Sequence, residues 1–191
     1  MLQFPPIPSW DAIHPPIVHF PIALLLVTPF IILAGALRPG ERGRPLFYVA
    51  LALMIVGTTG TYFAVASGEA AAQLAERTPQ IEAVLEHHEQ LAEATRIAFS
   101  VLTVVFAAVL LIPQFLKATS SRIASTILPL AFLVAYGGGV LLLANTAHNG
   151  GRLVHEFGVT AAVQPSPAIA GQEAQSKAPA EAHGEASGDG D

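Results

Sequence analysis

Four long stretches of the chain carry no charged side chain. Residues 12–37, 45–68, 97–116 and 123–151 contain no Asp, Glu, Lys or Arg. Each stretch includes an apolar run of about 20 residues, which is the length a helix needs to cross a hydrocarbon core of about 30 Å. Because backbone in lipid must satisfy its own hydrogen bonds, runs of this length form helices. The pattern predicts four membrane-spanning helices, at about residues 18–37, 45–67, 95–116 and 123–147.

The lengths of the connections predict how these helices are arranged. The first and third connections, residues 38–44 and 117–122, are short, whereas the second, residues 68–94, is long. Tight turns place consecutive helices antiparallel, so we expect an all-α, integral membrane four-helix bundle of up-down-up-down topology within residues 1–163. The remaining residues, 164–191, are rich in Ala, Pro, Glu, Gly and Ser. They have too little apolar surface to offset the entropy of ordering, so a disordered tail is expected.

Basic residues predict the orientation in the membrane. Five of the nine Lys and Arg residues lie in or beside the two short connections; they are Arg38, Arg42, Arg44, Lys117 and Arg122. Cytoplasmic loops carry an excess of basic residues. We therefore expect the short connections in the cytoplasm, with both termini and the long connection on the outer side.

Composition supports a membrane protein and excludes several functions. Apolar residues make up 52 % of the chain and charged residues 12 %, about half the charged fraction of an average soluble domain. A net charge of −5 argues against nucleic-acid binding. The chain has no cysteine, which excludes thiolate nucleophiles, iron–sulfur clusters and haem attached through a C-x-x-C-H motif. Hydrolase motifs are lacking and the spans hold no carboxylate or lysine, so an electron-transfer subunit is favoured over a stand-alone enzyme or a proton-coupled transporter.

Histidines gather at the outer end of the expected bundle. Six of the seven lie outside the tail and flank the outer ends of the spans; they are His14, His19, His87, His88, His148 and His155. Neutral imidazole is a common metal ligand and titrates near neutral pH. Histidines at a membrane boundary can also lie among lipid headgroups, but six of them at one end favour a ligand-binding site.

Helical periodicity separates the two adjacent histidines. Residues 79–115 read as one continuous helix, with glutamates recurring along one stripe and apolar residues along the other. His88 lies at the centre of the apolar stripe, where it needs a partner. His87 lies about 100° away on the flank and is expected to be solvated.

Prolines and glycines predict where the first and fourth helices begin and end. Proline is tolerated best in a first helical turn, so Pro15, Pro16 and Pro21 predict a helix that begins near Val18, with His19 in its first turn and His14 in an extended segment before it. In the fourth helix Asn145 and His148 share a face, and the pair Gly150 and Gly151 is typical of a helix stop. Glycines in the spans either allow close helix packing or leave room for a flat macrocycle; they are Gly57, Gly60 and Gly137–Gly139.

Three pieces of the sequence together resemble a known family. They are His14-Pro-x-x-Val-His19-Phe-Pro-Ile-Ala-Leu, a histidine ahead of the third span, and Gly150-Gly-x-Leu-Val after the fourth. This combination resembles the bacterial membrane proteins grouped as domain of unknown function 2231, over about residues 12–160, with His155 where the family pattern has Tyr. The resemblance implies a bacterial inner membrane and, because some members are fused to Rieske-type or cytochrome c-like domains, a place near electron transfer.

The leading hypothesis is therefore a membrane b-type cytochrome, or a haem-bearing anchor subunit. Helices 1 and 3 are diagonal in the bundle, so His19 and His88 could supply two axial imidazoles to one haem b iron. His148 or His155 could replace either ligand or serve a second centre, and Arg152 could contact a propionate; His19 would pair with His148 if His88 lies at another depth. Electrons would come from quinol in the bilayer and leave to a soluble cytochrome or another redox subunit.

Two alternatives remain open from the sequence. His14, His19, His88 and His148 could bind a bare copper, zinc or iron ion at the outer surface, since imidazole suits all three metals. The protein could also be a membrane anchor subunit without a cofactor.

Overall fold

The chain folds into an antiparallel bundle of four long helices. The computed structural model describes residues 9–10, 12–38, 40–115 and 126–159. The helices are α1 (His14–Ala36), α2 (Arg44–Ala72), α3 (Pro79–Phe115) and α4 (Leu128–His155), with a short 3-10 helix, Gly40–Gly43, before α2. Each long helix is long and apolar enough to cross a membrane. The tail, residues 164–191, and the connection at 117–122 lie outside the described residues.

The order of packing confirms the up-down-up-down topology. Helix α1 packs on α2, α2 on α3, α3 on α4, and α4 on α1. Helices α1 and α3 are therefore diagonal partners across the bundle axis. The N-terminus of α1, the α2–α3 connection and the C-terminus of α4 meet at one end, which carries the described histidines.

Two predicted helix limits are wrong. Helix α1 begins at His14 and not near Val18. It accepts Pro15 and Pro16 in its first turn, and it also accommodates Pro21, whose ring is buried against the bare backbone of Gly60 on α2. Helix α4 continues past Gly150 to His155. Packing between helices thus outweighs the local tendency of proline to start a helix and of glycine to end one. The predicted extent of the third helix, residues 79–115, is confirmed.

A tyrosine compensates for a proline inside α1. Pro29 has no N–H, so the carbonyl of Leu25, four residues earlier, lacks its usual helical donor. The Tyr136 hydroxyl on α4 donates to this carbonyl at 2.8 Å, and both residues are fully buried. This hydrogen bond fixes α4 against α1 in the middle of the bundle.

We expect Tyr136→Phe to destabilise the bundle by about 1–3 kcal/mol, because it leaves the buried Leu25 carbonyl without a donor. The measurement is the free energy of unfolding in mixed micelles during titration with sodium dodecyl sulfate. Tyr48→Phe, at an exposed position of α2, is the control. Equal stability of the two variants would contradict this role of the Tyr136 hydroxyl.

The two helical hairpins, α1–α2 and α3–α4, repeat the same pattern of buried positions. A shift of 74 residues takes the buried positions Pro21, Leu25 and Ile32 of α1 to Thr95, Phe99 and Phe106 of α3, which are also buried. A shift of 82 residues relates α2 to α4 and takes buried positions to buried positions: Phe47 to Pro129, Ala50 to Phe132, Met54 to Tyr136, Gly57 to Gly139, Thr61 to Leu143 and Ser67 to Asn149. The bundle therefore has an approximate two-fold relation between its hairpins.

Candidate functional site

Two apolar clusters occupy successive levels of the bundle. The larger one fills the middle and includes Leu25, Met54, Phe99 and Tyr136. The smaller one closes the end that carries the histidines; it comprises Ala72, Ile81, Leu85 and Leu153. Along α2, α3 and α4, buried or half-buried polar side chains lie between the residues of these clusters, and His14 of α1 joins them through its contact with Ser67. We call this set the polar layer: His14, Ser67, His88, Thr95, Thr146 and Asn149.

His14 is held against α2 by its Nδ1 atom. This atom lies 3.0 Å from the Ala64 carbonyl oxygen and 3.1 Å from the Ser67 hydroxyl. Since a carbonyl oxygen only accepts, Nδ1 must carry the proton of the bond to Ala64. The neutral ring then presents Nε2 as an unprotonated lone pair, which is the form that binds a metal.

His88 is held against α4 in the same way. Its Nδ1 lies 3.0 Å from the Thr146 carbonyl oxygen. The Thr146 hydroxyl in turn lies 2.7 Å from the Thr95 hydroxyl and 3.1 Å from the Leu91 carbonyl oxygen. These bonds tie α4 to α3 beside the imidazole, so the bond from Nδ1 to the Thr146 carbonyl fixes the orientation and the tautomer of the His88 ring.

The Nε2 atoms of His14 and His88 are not fully buried. Neither makes a hydrogen bond, and no side-chain nitrogen or oxygen of the described, non-exposed residues is buried without a partner. His14 and His88 belong to diagonal helices and lie at the same end of the bundle. The site therefore presents two imidazole lone pairs on diagonal helices.

A glycine lies against each of the two rings. A Cβ added to Gly68 would lie 2.9 Å from His14 Cε1, and one added to Gly150 would lie 3.0 Å from His88 Cε1. The two shifts also relate these contacts. The shift of 74 residues takes His14 to His88, and the shift of 82 residues takes Ala64 to Thr146 and Gly68 to Gly150. The two histidines are equivalent members of one approximately symmetric site.

His19 lies outside this arrangement. Its side chain is exposed, and its Nδ1 lies 2.6 Å from the Pro15 carbonyl oxygen of its own helix. It is five residues further along α1 than His14, about 7–8 Å along the axis. The sequence paired His88 with His19, whereas the two-fold relation makes His14, and not His19, the counterpart of His88.

The other predicted ligands, His148, His155 and Arg152, are dispersed over the same end of the bundle, as is His87, which was expected to be solvated. His87, His148 and His155 are exposed, and Arg152 forms an ion pair with Glu156 at 2.9 Å. Within the described parts of the chain, no group of three or more His, Cys, Asp or Glu side chains could hold a metal ion. The four-histidine set considered for a bare ion (His14, His19, His88 and His148) is therefore not assembled there.

The glycines of the spans serve mainly for close packing. A Cβ on Gly57 would lie 2.9 Å from Leu25 Cδ2, one on Gly60 would lie 3.1 Å from Pro21 Cβ, and one on Gly139 would lie 2.8 Å from Leu102 Cδ1. Gly137 and Gly138 have no atom within 4 Å of an added Cβ. Three of the five positions thus allow neighbouring side chains to approach the helix backbone.

Sequence reasoning missed the residues that hold the two imidazoles. Ser67, Gly68 and Thr146 were not singled out, and Gly150 was interpreted as a helix stop. One signal was present: Gly57 and Gly68 are 11 residues apart, and so are Gly139 and Gly150. This repeated spacing relates the second helix to the fourth and points to a glycine at the same level in both.

Comparison with known proteins agrees with the membrane architecture. The family model described as "Predicted membrane protein (DUF2231)" matches residues 10–163. The chain belongs to this family and is a multi-pass membrane protein in contact with the lipid bilayer. Neither the curated proteins nor the solved structures include a match to the chain.

Proposed function

We propose that this protein is a membrane b-type cytochrome-like subunit that binds haem b through His14 and His88 and transfers electrons between quinol and a partner at the outer face. The observation that carries the proposal is the pair of imidazoles on diagonal helices. Each has its Nδ1 held by a backbone carbonyl and its Nε2 open.

The donor set fits haem better than a bare ion. In haem the macrocycle supplies four of the iron ligands, so two axial imidazoles complete the coordination. A bare zinc ion takes three or four ligands from the protein, and the polar layer offers two histidines. Hydrogen bonds from Nδ1 to backbone carbonyls fix the tautomer and raise the basicity of the ligating nitrogen, as is usual for histidines that bind metals.

The surroundings of the pair suit a redox centre. Haem held by two imidazoles would supply a one-electron couple. The apolar clusters on either side of the polar layer limit access of water, and the fixed rings require little rearrangement. Gly68 and Gly150 let the two imidazoles lie close to the backbones of α2 and α4.

The proposed setting follows from charge and topology. With the basic connections in the cytoplasm, the end that carries the histidines lies on the outer side of a bacterial inner membrane. Quinol reaches that level through the lipid. A soluble cytochrome or another subunit of a redox complex can approach from the aqueous side.

The first test is the absorption spectrum of the full chain, purified in detergent from cells supplied with iron and a haem precursor. We expect the reduced-minus-oxidised difference bands of a six-coordinate haem b, and about one iron per chain from one bis-histidine site. A colourless protein without iron would contradict the proposal. A colourless protein with stoichiometric copper or zinc would replace it with the metal-ion alternative.

A further inference from the structure

A second polar group lies on the lipid-facing side of the bundle, between α2 and α3. The Tyr62 hydroxyl lies 3.1 Å from the Ser100 hydroxyl, and the Arg96 guanidinium lies over the Tyr62 ring at 4.9 Å from its centroid. Arg96 also pairs with Glu93. We call these four residues the α2–α3 polar cluster. It borders the charge-free part of α3 and is flanked by exposed apolar side chains of Phe63, Ile97 and Val101.

Helix packing does not require this cluster. Under the two-fold relation, the equivalents of Arg96, Ser100 and Tyr62 on the α4–α1 side are Ile22, Leu26 and Ala144. All three are apolar, although α1 and α4 also pack against each other. Glu93 alone has a polar counterpart, which is the exposed His19. The polar side chains therefore mark a difference in function between two otherwise similar faces.

The hydrogen-bonding capacity of the cluster suits a neutral ligand. The Ser100 hydroxyl donates to the Arg96 carbonyl, so Tyr62 donates to Ser100 and its oxygen can still accept. The ion pair with Glu93 leaves further N–H donors on Arg96. Because the charges of Arg96 and Glu93 offset each other, an anionic phosphate gains little here and would meet the Glu93 carboxylate.

We propose that the α2–α3 polar cluster binds the headgroup of a membrane quinone or quinol. Such a headgroup is a flat, uncharged ring with two opposed oxygens, which accept hydrogen bonds in the quinone and also donate them in the quinol. It reaches a lipid-facing site directly through the bilayer. Arg96 donates to one ring oxygen, and Tyr62 or Glu93 accepts from the hydroxyl of the reduced form.

The position of the cluster links it to the histidine pair. Arg96 is eight residues from His88 on α3, about 12 Å along the helix, and its neighbour Thr95 belongs to the polar layer. The assignment of quinol as electron donor rests on the proposed function. Binding of the headgroup itself does not require a cofactor, so it can be tested separately.

The test is binding of a benzoquinone with a decyl chain to the full-length protein in detergent, measured by isothermal titration calorimetry. We expect Tyr62→Phe and Ser100→Ala each to weaken binding about tenfold, since each disturbs a hydrogen bond at the site. Tyr48→Phe is the matched control, because Tyr48 is also an exposed tyrosine of α2 beside an arginine. It should leave the dissociation constant unchanged.

Three results would overturn the site. The first is no binding of the quinone to the wild type, and the second is equal weakening of binding by Tyr62→Phe and Tyr48→Phe. The third is displacement of the quinone by phosphatidylglycerol, if this displacement depends on Arg96 and not on the Tyr62 hydroxyl. The last result would identify a lipid headgroup as the ligand. The same titration on the wild type prepared without haem separates the two proposals. We expect this protein to bind the quinone with the same dissociation constant, whether or not the chain also binds haem.

Discussion

Replacing either His14 or His88 with alanine is expected to abolish the haem b difference spectrum, while His87→Ala keeps it. Each proposed ligand supplies one of two axial imidazoles, so loss of either leaves the iron with one protein ligand. His87 is the natural control because it is adjacent to His88 on the same helix and is exposed. The measurement is the amplitude of the reduced-minus-oxidised bands per mole of folded protein.

A folding defect must be separated from loss of a ligand. Gel filtration and far-ultraviolet circular dichroism of each variant report whether the bundle is intact. Added imidazole should restore part of the spectrum in His88→Ala, because the free ligand can occupy the space vacated by the side chain. Rescue of this kind is not expected from a variant that has merely lost its packing.

The same experiment decides between the two histidines of α1. If His19→Ala removes the bands and His14→Ala keeps them, the pair proposed from the structure is wrong and the pair His19–His88 is right. The structure favours His14 because its Nδ1 is bonded across to α2, whereas the Nδ1 of His19 is bonded to its own helix.

The fold was predictable because a membrane leaves few choices. Runs without charge must be helical in lipid, and short connections make neighbouring helices antiparallel. The ends of the helices were less predictable. Pro21 and Gly150 suggested a late start of α1 and an early end of α4, but both residues lie inside helices because each packs closely against a neighbour, at Gly60 and at His88.

One of the two histidines of the candidate site, His88, could be predicted from the sequence. The 3.6-residue period of α3 placed His88 on the apolar face, and the structure finds it half-buried against Thr146. The level of α1 relative to α3 could not be read from either helix alone, since it depends on how the helices slide past each other. The two-fold relation was not visible in the sequence, because equivalent positions are both buried but carry different residues. Leu25 and Phe99 are an example.

Gly150→Ala and Gly151→Ala form the sharpest test of how the His88 ring is held. Both replacements remove the backbone freedom of a glycine inside a helix, which alone favours the folded state by about 0.5–1 kcal/mol. Gly151→Ala meets no atom within 4 Å, so we expect normal haem content and equal or higher stability. Gly150→Ala places its Cβ 3.0 Å from His88 Cε1, so the imidazole must move.

We expect Gly150→Ala to weaken haem binding by about 10–100-fold, the usual cost of disturbing a group that orients a metal ligand. Movement of the ring strains its bond to the Thr146 carbonyl, which fixes the tautomer. Haem affinity is measured by titration of the haem-free protein, beside thermal unfolding of each variant. By the two-fold relation, Gly68→Ala should act on His14 in the same way, since its Cβ would lie 2.9 Å from that ring. Equal haem affinity in Gly150→Ala and Gly151→Ala would mean that the backbone of α4 does not position His88, and the site would then need another arrangement of ligands.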